Sequence, residues 1–276
     1  MDKTGRACYT IYQQNLSSEF LPACRIAVFR HMKGVLVMDQ NNMNGQMPVL
    51  RTEMGESLQR YTAKTFLWMF LGLLVTFAVS VVSYVTVLPY RILIISPYAL
   101  FVLTGAELAL VLVLSMKVHS LSVGAARGLF LAYAVLNGVV FSTWFFLYEL
   151  YSLVLVFAVT ALYFGVMAAF GYFTSMDLSR IRTILIGGLI FLIAFNLLAL
   201  FIPAFGAMER IVCVIGIVVF LAFTAYDTQK IKAFYYGLAG DEAMLAKASI
   251  ISALELYLDF INLFLYLLRF LGRRKN

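Results

Sequence analysis

The stretch Ala253-Leu-Glu-Leu-Tyr-Leu-Asp-Phe-Ile-Asn-Leu-Phe-Leu-Tyr-Leu-Leu-Arg269 decides the fold class. It is long and apolar enough to continue as a helix through hydrocarbon about 30 Å thick. Glu255, Asp259, Asn262, Tyr266 and Arg269 recur along it at spacings of four, three, four and three. Those spacings set the polar groups on one stripe of an α-helix, with Leu, Ile, Phe and Ala elsewhere. Such a helix belongs inside a bundle, its stripe facing a cavity and its other sides covered. A second stretch, Phe223-Thr-Ala-Tyr-Asp-Thr-Gln-Lys-Ile-Lys232, closes the preceding apolar segment and is expected to end it on Asp227. A carboxylate at bilayer depth costs roughly 2.5 to 3.5 kcal/mol on insertion scales, so such groups face a partner or water and mark function.

Composition agrees with a membrane chain. Of 276 residues, 63% are hydrophobic and 13% charged. A soluble domain is about half apolar and about a quarter charged. The net charge of +7 fits the basic excess that orients membrane proteins and does not call for nucleic acid. Cys8, Cys24 and Cys213 are an odd number without metal-ligand spacing, so no disulfide framework is expected. There is no Gly-rich phosphate loop and no Cys/His metal set, and no cofactor is expected.

Residues 1–60 are expected to form a polar, basic cytoplasmic tail, partly disordered, and residues 61–276 the membrane domain. Arg25, Arg30, His31 and Lys33 interrupt the one stretch that resembles a signal-peptide core. Met38 or Met43 is a candidate alternative start. Seven apolar runs follow, near Thr65–Val87, Ile92–Met116, Gly128–Leu147, Leu153–Phe173, Ile184–Phe205, Ile211–Tyr226 and Ala248–Leu271. In lipid these must be helices, because each backbone group needs an internal partner. Lys117, Arg127, Arg180, Arg182, Lys230, Lys232 and Lys247 fall on the side of the N-terminal tail, and only Arg91 and Arg210 on the other. The positive-inside rule therefore puts the N-terminus in the cytoplasm. Arg273, Arg274 and Lys275 break that rule if the last segment crosses fully, which leaves open whether it spans or is re-entrant.

Thr224-Ala-Tyr-Asp-Thr-Gln-Lys230 and Leu256-Tyr-Leu-Asp-Phe-Ile-Asn-Leu-Phe264, in this order, resemble the terminal motifs of the transmembrane Bax-inhibitor-motif family, in its bacterial members. Phe170-Gly-Tyr-Phe-Thr-Ser-Met-Asp-Leu-Ser179 is similar to the link after helix four there, and Glu107-Leu-Ala-Leu-Val-Leu-Val-Leu-Ser115 to the second helix. The resemblance covers roughly residues 55–275. It implies an all-α membrane protein of six helices around a central seventh, located in a bacterial inner membrane. It also implies a pH-sensitive calcium leak attributed to aspartates corresponding to Asp227 and Asp259. Glu107 fits a carboxylate that some members carry in helix two. Lys117, followed by His119, stands one position from an arginine that in some members pairs with the first aspartate. A lysine lacks the bidentate fork, so that latch is expected to be weaker here.

The chemistry expected of Asp227 and Asp259 follows from their type. Two carboxylates in a low-dielectric site do not both ionise cheaply, and they share a proton. Deprotonated, they repel each other and attract a cation. Calcium takes six to eight oxygens, so two aspartates give weak, passing coordination completed by water and carbonyls. Glu107, Lys117, Glu255 and Asn262 are supporting candidates. Glu255 either lines the same cavity or sits at the membrane surface. Asn262, Tyr266, Asn137 and Asn196 read as hydrogen-bonding glue between helices, and Arg269 as snorkelling to headgroups.

The leading expectation is thus a cation leak channel, not an enzyme, with lipid, calcium and protons as its partners. A proton-coupled cation exchanger, or a regulator that binds another membrane protein through the basic tail, remain alternatives. Intramembrane aspartyl proteases also use two aspartates on neighbouring helices. They carry Gly-x-Gly-Asp, however, where this chain has Leu256-Tyr-Leu-Asp259.

Overall fold

The computed structural model describes residues 56–95, 98–117, 120–202, 207–238 and 240–275. The basic tail up to residue 55, with Met38 and Met43, lies outside them, as does His119. The described chain is helical. It comprises α1 (Leu58–Val85), α2 (Leu88–Ile95), α3 (Ala99–Met116), α4 (Val123–Leu147), α5 (Leu150–Phe173), α6 (Arg182–Phe201), α7 (Glu209–Gly237) and α8 (Glu242–Leu271). A 3-10 turn, Leu178–Ile181, leads into α6.

Local chemistry sets several of these boundaries. Ser57 and Ser122 accept the N–H groups of Arg60 (3.4 Å) and Ala125 (3.1 Å), capping α1 and α4. Asp241 does the same for α8, from Met244 at 2.9 Å. Asp177 accepts the N–H of Ser179 at 3.0 Å, and the hydrogen bonds from Ser179 hold its carboxyl below the usual range. Val87 separates α1 from α2 with φ +54°, a left-handed conformation that a β-branched residue rarely takes.

Among the described residues, six elements are long and apolar enough to cross a membrane: α1, α4, α5, Leu178–Ala199, α7 and α8. The expected second span divides between α2 and α3, and its apolar stretch, Val102–Met116, is shorter. The first helix begins at Leu58, ahead of the expected Thr65. The sixth expected run does not end on Asp227. Helix α7 continues to Gly237, because Thr-Gln-Lys-Ile-Lys-Ala contains no breaker, and its apolar pattern persists past the charge. The last helix starts at Glu242, six residues ahead of the expected Ala248.

Burial follows the logic of a lipid solvent. Large side chains such as Phe70, Phe77, Tyr151, Ile184 and Phe201 face outward, where hydrocarbon can cover them. Helix α8 is the most enclosed of the six, with 72% of its most apolar window buried against 44% for α7 and less for the rest. It packs on α7, α1, α5 and α4, while α3 packs on α4 and α6 on α7.

Polar side chains stitch the interior. Thr65 and Ser249 share a hydroxyl hydrogen bond of 2.9 Å between α1 and α8. Thr76 bonds the Tyr257 hydroxyl at 2.6 Å and donates to the Ala134 carbonyl at 2.9 Å. Such bonds join helices where lipid supplies no hydrophobic drive.

Close backbone approach does the rest. In the neighbouring small residues Gly187-Gly188 and Ala168-Ala169, Gly188 packs on Val219 and Ala168 is buried, whereas Gly187 faces open space and Ala169 is exposed. The tightest approach is elsewhere. A Cβ on Gly171 would lie 2.1 Å from the Ala225 carbonyl oxygen, so α5 and α7 touch backbone to backbone.

The C-terminal residues settle how α8 ends. Arg273 and Lys275 pair with the α4–α5 linker through Glu149 N–H to Arg273 O (3.1 Å) and Lys275 N–H to Leu147 O (2.9 Å). Arg274 reaches Glu209 at the start of α7 at 3.5 Å. The tail therefore lies at the end of the bundle where α4 finishes and α7 begins, and α8 runs back alongside the full length of α7.

Gly171→Leu is expected to separate α5 from α7 and to cost about 1–3 kcal/mol or prevent folding, whereas Gly165→Ala, facing open space, should leave the protein unchanged. Monodispersity and thermal unfolding in detergent compare the two.

Candidate functional site

Helices α7 and α8 are antiparallel neighbours joined by a short connection, so residues meet in reverse order along them. Phe220 stacks on Tyr266 (centroids 5.9 Å, planes at 25°). About two turns further along α7, Asp227 comes opposite Asp259 on α8, and each acts electrostatically on the other. One more turn brings Lys230 onto Glu255, with Nζ to Oε1 at 2.6 Å. Each step on one helix is matched by a step back on the other.

Asp227 and Asp259 are 7% and 4% exposed, which excludes bulk water as their main partner. The threonine hydroxyls on the same stretch of α7 do not serve them. Thr224 donates to the Phe220 carbonyl at 2.8 Å, and Thr228 to the Thr224 carbonyl at 2.7 Å. Among the described residues no donor reaches Asp259 Oδ2. What faces that carboxyl is Asp227 first, then Glu255 and Lys230. Asp227 in turn feels Glu255, Lys230, Asp259 and Arg182 at the start of α6.

The linker between α5 and α6 is fixed to α7 next to this cluster. Gln229 accepts the N–H of Leu178 at 2.9 Å and donates to the Met176 carbonyl at 2.6 Å. Lys232 donates to the Tyr172 carbonyl and lies over the Tyr172 ring. Thus Phe170–Ser179 and Thr224–Lys230, two separate matches in the sequence, bind each other in space, and the linker delivers Arg182 toward Asp227.

The supporting candidates divide. Glu255 joins the aspartates through its position one turn before Asp259, with its side chain 27% exposed. Glu107 belongs to a different cluster. It is buried in α3, its Oε1 lacks a hydrogen-bond partner among the described residues, and the groups it acts on are Tyr133 and Tyr257. Lys117 caps the end of α3 in an exposed position and is absent from the charges acting on Asp227. The cations that act on Asp227 are instead Lys230, one turn along α7, and Arg182. Asn262 donates to the Leu258 carbonyl of its own helix at 2.8 Å, which satisfies its amide locally and takes that group away from the aspartates.

Other glue residues behave as expected in part. Asn196 bonds Tyr266 at 3.2 Å across α6 and α8, whereas Asn137 bonds Tyr133 of its own helix at 3.4 Å. Arg269 does not simply snorkel. It donates to Asn196 Oδ1 at 3.1 Å and lies over the rings of Tyr266 and Trp144, so its charge is held by groups of the bundle itself.

Gln229, Lys230 and Arg182 were the residues that sequence reasoning did not place at the site. Lys230 could have been found by laying the last two helices antiparallel with Asp227 opposite Asp259. Gln229 and Arg182 carry no such signal, since their partners come from a linker whose path is set by tertiary packing.

The family profile described as "Inhibitor of apoptosis-promoting Bax1" matches residues 58–276. The chain belongs to that Bax-inhibitor family. It is 40% identical over 219 residues to the inner membrane protein YbhL of Escherichia coli K12, covering 79% of this chain and 93% of that protein. An uncharacterised protein of Rickettsia prowazekii is 38% identical over 221 residues, 80% of this chain and 92% of its own. One from Borreliella burgdorferi is 34% identical over 217 residues, with coverage of 79% and 93%. In this family member the matched region takes in all eight described α-helices, including both aspartates.

Gln229→Ala removes both clamps on the linker and should lower stability by about 2 kcal/mol, two neutral hydrogen bonds' worth. Thermal unfolding in detergent reads the loss, and faster amide exchange at Leu178 localises it.

Proposed function

We propose that this Bax-inhibitor family protein is a pH-sensitive leak channel for calcium and other cations, gated by a proton shared between Asp227 and Asp259. One observation carries the reading: two buried carboxyls on facing helices α7 and α8 that act on each other, with the neighbouring Thr224 and Thr228 hydroxyls turned to backbone carbonyls. In a low-dielectric interior such a pair holds one proton between its oxygens and titrates as a unit. That proton ties α7 to α8. Its loss leaves two like charges that push the helices apart and draw a cation between them.

Calcium is cargo in this scheme, coordinated in passing by few protein oxygens with water completing the shell. The reaction is transport and not bond-making chemistry, so the chain acts as no enzyme and takes no cofactor. Lipid is its medium, and calcium and protons are its partners. By likeness to YbhL the membrane is a bacterial inner membrane, and the lysine and arginine distribution sets the N-terminus in the cytoplasm.

The test is calcium flux into proteoliposomes across a pH series. Protons and calcium compete for the same oxygens, so apparent calcium affinity should fall as pH is lowered through the titration of the pair. Asp227→Asn and Asp259→Asn, singly and together, should flatten that response and weaken calcium affinity by roughly tenfold or more, one charge removed at close range. Wild-type behaviour of both variants over the whole series removes the proposal.

Topology is tested separately. Reporters fused to the two ends should read cytoplasmic at the N-terminus and the opposite compartment at the C-terminus. Both ends on one side contradicts the proposed orientation of α8.

A further inference from the structure

The aspartates have a charged neighbour that the leak mechanism does not use. Lys230 follows Asp227 by three positions on α7, so the two side chains rise from the same face, about 5–6 Å apart at Cβ. The Lys230 ammonium does not rest on Asp227. It rests on Glu255 of α8, at 2.6 Å from Oε1 and 5.2 Å from the centre of the Phe234 ring. Glu255 Oε2 is buried without a hydrogen-bond partner among the described residues. Lys230 acts on both aspartates, and so does Glu255. Arg182 on α6 and the Tyr226 hydroxyl on α7 complete the set of charged and titratable groups around them.

A lysine is a compact point charge on a flexible four-carbon stem. Swung by less than the length of that stem, the ammonium can occupy the place a permeating cation would take beside Asp227. The carboxylate that keeps it away is Glu255, one helical turn from Asp259.

We infer that Lys230 is a tethered competitor for the cation at Asp227 and Asp259, and that Glu255 is its holding position. With the ion pair made, the aspartates are open to a cation from solution. With the pair broken, the ammonium moves onto the aspartates and blocks them. Lys230 and Glu255 thereby set how tightly and how fast a cation passes. The inference rests on the leak reading, since it assigns these residues to the same site.

The experiment is a double-mutant cycle at one fixed pH, in proteoliposomes of the full chain, reading half-saturating calcium and initial flux. Lys230→Gln removes the competitor and should tighten half-saturating calcium roughly tenfold, the effect of one charge at ion-pair range. Glu255→Gln releases the lysine and should weaken it by a similar factor. The double variant decides between a tether and simple charge. For a tether, Lys230→Gln has a larger effect in the Glu255→Gln background than in the wild type, because only there does the ammonium sit on the aspartates. Lys230→Arg and Glu255→Asp should restore near-wild-type values.

Additive effects, or a shift in the same direction from both single variants, overturn the inference, as a merely structural ion pair would give the second result. Thermal unfolding in detergent identifies a variant that fails to fold, and the remaining single variant then carries the test through the direction of its own shift, tighter calcium for Lys230→Gln and weaker for Glu255→Gln. If Asp227→Asn and Asp259→Asn change calcium handling while the cycle is additive, this inference falls alone. If the aspartate variants change nothing, the leak reading itself has failed.

Discussion

An ionisable group in hydrocarbon must find its partner inside the protein, and much of this molecule is arranged around that constraint. Polar atoms gain no help from lipid, so each buried hydroxyl, amide or charge needs a neighbour on the same helix or the next one. Thr160, Thr224 and Thr228 solve the problem locally by donating to carbonyls four residues back. Thr65, Thr76 and Asn196 solve it across helices, and so fix which helices touch. The aspartates face a mixed set of charges instead: each other, Glu255 and Lys230, with Arg182 acting on Asp227 as well.

The surrounding architecture keeps that arrangement in place. Helix α8 is enclosed by α7, α1, α5 and α4, so its polar stripe is shielded from lipid. Gly171 lets α5 lie on the backbone of α7 at Ala225, two residues from Asp227. Gln229 holds the α5–α6 linker against the same turn. At the opposite end, the last residues of the chain pair with the α4–α5 linker and with Glu209. Helix α8 is thus held along its length and at its exit, which limits how its stripe can rotate.

Charge placement follows the same economy. Lys230, Lys232 and Arg269 are cations within or beside the spanning helices. Each is held by a specific group: Glu255, the Tyr172 carbonyl, and Asn196 with two aromatic rings. The long aliphatic stems of these residues lie along apolar surface while their heads find polar atoms. Such pairing explains why α7 tolerates two lysines well before its end at Gly237 and why it does not stop at the first charge.

What the sequence by itself determined was the class of molecule: a helical membrane chain whose last helix carries a polar stripe. Apolar run length and the spacing of Glu255, Asp259 and Asn262 are local properties, and helix geometry converts them directly into a face. Boundaries were legible only to within a few residues, because Asp227 and the lysines after it look like an end until their partners are known. The break between α2 and α3 was marked in the sequence by Ser96-Pro97, which the count of apolar run length passed over. Which side chains meet was decided by tertiary structure alone. Contacts between helices depend on the rotation and register of each, and these are set by close approaches such as Gly171 on Ala225 and by bonds such as Thr76 to Tyr257. For that reason Glu107, a plausible partner by position in the chain, lies with Tyr133, and Lys117 is exposed at the end of α3, while Lys230 and Glu255, on neighbouring helices, form an ion pair.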